Sequence, residues 1–441
     1  MNDLSDNNLN LATTGNVQIQ ADGDGNNVGD FTMNSGDTIT TAGANLTITA
    51  EDMTIGSLDT TAGGAITLTP NGGVTLWDTL DSATDINING DLLLAANSVL
   101  RTPGAGTDNI VVTGAISNDF DLNINAGTSA GGSIDVGAID INDITWSGSS
   151  LTLNGGVTSD NTIDFTNIGA VTLANDVVMD AGTGNISMPA ALTVTGGGNA
   201  LTLSGDTVTL DAISGVTDLD ATGATAVVVN DTINTTGTQT YAGATTLNAD
   251  LTSTNSAITF NGAADLGADT NISSGAGAGD ITFNSTIDGS VADTQSLTLD
   301  AGTGAVAFNT SPGNGTRLNN LDITANTVTM PGAVDTAGTQ DYTADATFNG
   351  DVTTAGSDIT INGDTTLAAD TTFGSAGGDI TLNGTLDGTT ADTENAVFNA
   401  AAGDVQVTGL VGNGTTLNTL DAAGANVTFN GVTTGGTQDY T

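Results

Sequence analysis

The groups in this sequence that could do chemistry are nearly all carboxylates. Of 441 residues, 50 are acidic; Glu51 and Glu394 are the only glutamates, and the rest are aspartates. The only bases are Arg101 and Arg317, no His, Lys or Cys occurs, and the formal net charge is −48. Thiolate chemistry, Cys or His metal sites and histidine acid–base catalysis are therefore excluded. Nucleic-acid binding is excluded too, because releasing counterions from phosphates takes clustered Lys and Arg.

What aspartates can do without these partners is bind hard cations or work in pairs. Calcium takes oxygen ligands. The densest cluster is Asp22-Gly-Asp24-Gly-Asn26-Asn27, which makes Asp22, Asp24 and Asn26 a weak Ca²⁺ candidate. It imitates the start of an EF-hand loop, but Asn27 stands where Gly is needed and Met33 where a bidentate Glu belongs. A turn between strands is the preferred account, and no cofactor is expected. Hydrolysis by paired carboxylates finds no support in adjacent Asp-Asp pairs, and a non-enzyme is expected. Alternate threonines (Thr38/Thr40, Thr47/Thr49, Thr67/Thr69) suggest an ice-binding rank, but later segments replace them with Asn. Trp77 and Trp146 are candidate sugar platforms. Alternation puts Trp146 on the face of Ile144 and Trp77 opposite Leu76, so packing suits Trp146 better.

The elements that must hold these residues are repeats. All three tyrosines sit in Gly-Thr-Gln-x-Tyr, at Gly237–Tyr241, Gly338–Tyr342 and Gly436–Tyr440, giving offsets of 101 and 98 residues. Ile258-Thr-Phe-Asn-Gly262 matches Ile359-Thr-Ile-Asn-Gly363, and Asp180-Ala-Gly-Thr-Gly184 returns at Asp300–Gly304. A super-repeat of about 100 residues therefore covers the second half. Inside it, apolar-Thr-apolar-Asn-Gly motifs begin at Asp358, Asp379, Asp404 and Asn426, spaced by 21, 25 and 22 residues. Similar alternating segments are Asn16–Gln20, Asn45–Thr49, Ala65–Thr69, Asp85–Asn89, Asp121–Asn125, Leu151–Asn154 and Ala170–Leu173. Alternation marks a strand with one buried face, and the Gly/Asn/Asp clusters between them mark turns. Leu, Ile, Val and Phe total 99 residues, just above the ~20% below which a charged chain stays disordered.

The expected fold is all-β, a parallel β-helix or β-solenoid with about 20 residues per rung and ~100-residue super-repeats. Residues 1–200 read as degenerate rungs and 201–441 as regular ones, in one continuous rod of roughly 21 rungs and about 100 Å. An antiparallel sandwich array is the competing architecture. No targeting segment and no apolar run of membrane-span length is visible.

The strings Gly-Thr-Gln-Asp-Tyr-Thr, Asp-Ile-Thr-Leu-Asn-Gly-Thr-Leu-Asp-Gly and Asp-Ala-Gly-Thr-Gly-Ala-Val-Ala-Phe-Asn resemble repeats of large bacterial surface proteins, the filamentous-haemagglutinin-like adhesins and related β-strand-repeat proteins. The resemblance is best over about residues 180–441. It implies a right-handed β-helix, an extracellular or cell-surface location, adhesion to host or matrix glycans, and a stalk or fibre role. A second expectation is a homopolymeric filament stacked head to tail. The chain stops inside a fresh Gly-Thr-Gln-Asp-Tyr-Thr, and its opening Leu9–Gln20 resembles the stretch that follows the previous copy.

Trypsin cuts after Lys and Arg. Complete digestion of the denatured chain should give three main fragments, cut after Arg101 and Arg317. More than three, resolved by mass spectrometry, would contradict this.

Overall fold

A computed structural model describes residues 8–21, 29–102, 107–127, 131–189 and 193–441. Among them there is no helix, and so none long and apolar enough to cross a membrane. Every strand pairing with a resolved register is parallel, with about 19 turns spaced by roughly 21 residues. The chain divides into two compact units, residues 1–217 with 223–225 and residues 218–222 with 226–441. Parallel pairing rules out the antiparallel sandwich.

In the first unit each turn carries three short strands, one for each of three faces. Their buried residues stack from turn to turn. On the first face the column runs Leu46, Ile66, Ile86, Ile110, Ile134, Leu151, Val171. On the second it runs Met53, Val74, Leu92, Ile116, Ile139, Val157, Met179. On the third it runs Ile39, Leu58, Leu80, Leu100, Ile124, Trp146. All of these side chains are essentially fully buried. Period-two alternation sends each intervening residue outward. The segments read from the sequence fall mostly on the first face. Asp121–Asn125 is the exception, belonging to the third, while the first-face strands Ile110–Val112 and Ser133–Val136 are not among them.

The second unit repeats the plan with aromatic columns. Tyr241, Phe260, Phe283 and Phe308 stack face to face with centroids 5.0, 4.9 and 5.3 Å apart. Phe373 and Phe398 stack at 5.0 Å on another face. Tyr241 and Tyr342 are fully buried, and each donates its hydroxyl to the Gln two residues before it, Gln239 at 2.9 Å and Gln340 at 2.6 Å. Each Gln amide in turn donates to a carbonyl on the adjoining turn, Thr252 at 2.8 Å or Thr353 at 2.7 Å. A Gln–Tyr pair thus carries its polar atoms into the core fully satisfied.

The ~100-residue super-repeat is not a whole number of turns. From Gln239, five turns lead through Ile258, Ile281, Val306 and Val328 to Ala346. Gln340 lies one face before Ala346. From Gln340, four turns lead through Ile359, Ile380 and Val405 to Val427, and Gln438 lies two faces beyond. Both intervals equal four and two-thirds turns. The three Gly-Thr-Gln-x-Tyr copies therefore occupy the three different faces.

The corners are closed by side chains. Thirteen aspartates accept the backbone N–H of the equivalent residue one turn on, at 2.7–2.9 Å: Asp85, Asp91, Asp176, Asp218, Asp250, Asp269, Asp280, Asp345, Asp351, Asp358, Asp364, Asp370 and Asp379. Asn45, Asn97, Asn109, Asn185, Asn255 and Asn320 do the same.

These contacts set two stability expectations, both read from chemical denaturation. Phe283→Ala, which empties the middle of an aromatic column, should cost about 3–5 kcal/mol. Asp379→Ala should cost about 1 kcal/mol, while Asp379→Asn, which keeps the acceptor, should cost little. Equal losses for the two Asp379 variants would show that the clamp is not the relevant contact.

Candidate functional site

Outward-facing side chains also form columns, and some are bonded along the solenoid axis. Asn261 pairs with Asn284 at 2.8 Å and Asn362 with Asn383 at 2.9 Å. Asn154 donates to Asp135 and Asn426 to Asp404. The third face of the first unit carries such bonds too. Over the strands Ser98–Arg101, Ile116–Asn125 and Ile139–Ser147 lie two hollows, of about 410 and 290 Å³, that share Asn123 and Thr145. The first is lined by Asn123, Asn125, Thr145, Trp146, Ser147, Thr166 and Asn167. The second adds Asn97, Val99, Asp121 and Asp143.

Register brings these residues together. Asp121 pairs with Asp143, Asn123 with Thr145, and Asn125 with Ser147. Arg101 precedes Asn125 in its column and follows Asp81, to which it is bonded, Nε to Oδ1 at 3.2 Å. Its charge is thereby matched, and the guanidinium is held more firmly protonated by that carboxylate. Asp121 is engaged by the amides of Asn97, at 2.8 Å, and Asn142. Asp143 is held above the ordinary carboxyl range, first by partial desolvation and then by the like charge of Asp121 one turn away.

The carboxylate pair is a juxtaposition the sequence reading missed, because the partners are 22 residues apart. The usable signal was the rung period itself: outward aspartates one turn apart stack. Stacking is also common elsewhere. Asp322 pairs with Asp341 in the same way, and both are raised by desolvation, Asp341 further by Asp322. A raised aspartate is thus a general consequence of this fold. With both oxygens of Asp121 bonded to neighbouring amides, the pair is better suited to accepting hydroxyls than to attacking carbon.

Other sequence candidates take definite places. Asp22, Asp24 and Asn26 lie outside the described residues; among the described residues, no group of three or more acids is arranged to hold a metal ion. Trp146 is buried at 3% exposure, stacks on Phe165 at 5.1 Å and donates its indole N–H to the Asp164 carbonyl at 2.7 Å. Trp77 is 37% exposed, as alternation requires. The threonine rank is only two turns deep: Thr47 stacks on Thr67, which stacks on Asn87, and Gln18 lies on the other side. Arg317 holds Asp293 through Nε at 2.6 Å and Nη2 at 2.9 Å, and Asp335 at 3.1 Å; Asp293 is lowered by this guanidinium. In the next super-repeat Thr416 donates to Asp392 at 2.7 Å in the same place.

No protein-family model, no curated protein and no solved structure matches this chain.

A carboxyl raised in the folded state penalises folding above its native pKa, and the penalty vanishes below its unfolded pKa. Asp143→Asn should therefore raise the melting temperature at pH 7. The gain should shrink as pH falls through the carboxyl range and be absent near pH 3. A gain that is constant across pH would assign the effect to something other than charge.

Proposed function

We propose that this chain is a structural β-solenoid, serving as the stalk or fibre of a bacterial cell-surface adhesin. The observation that carries the proposal is the set of corner clamps. A solenoid whose turns are joined by backbone ladders on three faces, and again by carboxylates at the corners, resists extension along its axis and needs no ligand to be stable. The outward aspartates keep it hydrated and self-repelling, which suits a spacer standing in water. The resemblance of its strings to surface-adhesin repeats supports placing it outside the cell, and the scarcity of tryptic sites fits an exposed position.

A second reading is a filament of copies stacked head to tail, since parallel turns can pair edge to edge with the turns of another copy.

Electron microscopy of the purified chain over a range of concentrations tests both. The stalk reading expects discrete, stiff, elongated particles of uniform length at every concentration. Long uniform fibres that grow with concentration would replace it with the filament reading, and compact or irregular particles would overturn both.

A further inference from the structure

Two loops outside the regular corners carry a reactive dipeptide. Gly313-Asn-Gly-Thr316 returns 99 residues later as Gly412-Asn-Gly-Thr415. We infer that Asn314 and Asn413 are latent sites of self-modification, each able to cyclise onto the glycine that follows it and become isoaspartate, and that Asp288 and Asp387 hold them closed. This is independent of the stalk and filament readings, since it concerns bond chemistry within single loops.

The reaction needs only water. A backbone nitrogen that has lost its proton to solvent bonds to Cγ of the asparagine before it. The Cγ–Nδ2 bond breaks, and the amide takes up a proton and leaves as ammonia. Water then opens the five-membered imide at one of its two carbonyls, giving aspartate or isoaspartate. Glycine hinders ring closure least, because it has no Cβ and an unrestricted backbone. Asn314, Gly315, Asn413 and Gly414 are all exposed, so water and hydroxide reach both pairs.

A carboxylate stands in the way at each site. Gly315 donates its N–H to Asp288 Oδ1 at 2.8 Å, and Gly414 donates to Asp387 Oδ1 at 2.8 Å. The next N–H, of Thr316 or Thr415, shares the same oxygen at 3.2 Å. The attacking nitrogen is therefore the donor in a charge-assisted bond. The negative charge beside it opposes loss of its proton, and the bond ties its peptide plane to the adjoining turn.

The same contact accounts for the reactive dipeptide. A Cβ on Gly315 would stand 2.7 Å from Asp288 Oδ2, and one on Gly414 3.0 Å from Asp387 Oδ2. The carboxylate approaches this closely only over glycine, so the clamp requires the residue that makes the asparagine labile. Asn-Gly pairs at strand ends are restrained differently, through the asparagine amide. Asn154 donates to the Val136 carbonyl at 3.0 Å, Asn349 to the Pro331 carbonyl at 3.1 Å and Asn383 to Asn362 at 2.9 Å, each on the preceding turn. Among the described residues, Asn314 and Asn413 make no such bond, which leaves the glycine N–H as the point of control.

The test compares the full chain with Asp387→Ala and Asp387→Asn. The folded proteins are held in warm, mildly alkaline buffer, and isoaspartate at Asn314 and Asn413 is followed by mass spectrometry of peptic peptides. The denatured parent chain gives the unrestrained rate. Both sites should convert more slowly in the folded parent than in the denatured chain. Asp387→Ala should speed conversion at Asn413 about tenfold, the factor set by losing one charge-assisted bond, and leave Asn314 at its parental rate. Asp387→Asn, which keeps an acceptor, should convert at a rate between the two. Asp288→Ala should show the mirror pattern, with Asn413 reporting that the fold is intact. The proposal is overturned if the folded parent converts as fast as the denatured chain, or if Asp387→Ala leaves Asn413 unchanged or slower. It is overturned too if Asp387→Asn converts as fast as Asp387→Ala. Equal acceleration of both sites in either alanine variant would assign the protection to the fold at large and not to the carboxylate.

Discussion

The backbone N–H at each corner of a turn needs an acceptor, and the rest of the structure depends on how that need is met. Within a strand, ladder bonds to the neighbouring turns satisfy every amide. Where the chain bends between faces, the carbonyl that should receive the next turn's first N–H has rotated away. A buried or half-buried amide left there would cost about 1–3 kcal/mol each time. Asp and Asn place a side-chain oxygen two bonds beyond Cβ, within reach of that amide. The side chain thus continues the ladder around the bend, and a turn with three corners can stack without losing its bonds.

Seen this way, the acidic composition is structural before it is electrostatic. Asp358 accepts from Asp379, and Asp379 accepts from Asp404, so successive carboxylates stand one above another. Each pair repels by about 1 kcal/mol in water-like surroundings, and salt screens that repulsion. The charge-assisted bond to the N–H offsets it. Asn fills the same corner at Asn45 and Asn320 without the repulsion. Aspartate at so many corners therefore costs little fold stability and leaves a surface that repels its own kind.

Much of this was legible in the sequence. The motif spacing at Asp358, Asp379, Asp404 and Asn426 is the register of the first residues of the matching strands, Ile359, Ile380, Val405 and Val427. Period-two alternation also placed Trp146 inside and Trp77 outside. The three-strand turn was less visible, because the strands of every face are short and few carry the Asn-Gly ending seen at Asn89-Gly90 and Asn154-Gly155. The two hollows were not visible at all. Asp121 and Asp143 meet only when the turn between them has a known length, and turns here vary from 17 residues (Ile134 to Leu151) to 30 (Leu9 to Ile39). One equivalence crosses chemical types: Gln295 accepts the N–H of Val291 at 3.1 Å, and Glu394 accepts that of Thr390 at 3.2 Å. What repeats is an acceptor at a fixed place, not a charge.

The non-integral super-repeat follows from the same narrow core. An aromatic column fills more of the interior than an aliphatic one, and the interior has room for few such columns side by side at one level. Were the super-repeat a whole number of turns, every Gln–Tyr pair would pile on one face, leaving the other two underfilled. At four and two-thirds turns, the Tyr241–Phe308 column occupies one face and the Phe373–Phe398 column another. Bulk is shared in rotation, so each face receives its aromatic load in turn. The same rotation acts on the outside: the Arg317–Asp293 contact and its Thr416–Asp392 counterpart lie one super-repeat apart, and therefore on different sides of the solenoid. Any surface feature tied to the super-repeat winds around the axis and regains its first direction only after three copies.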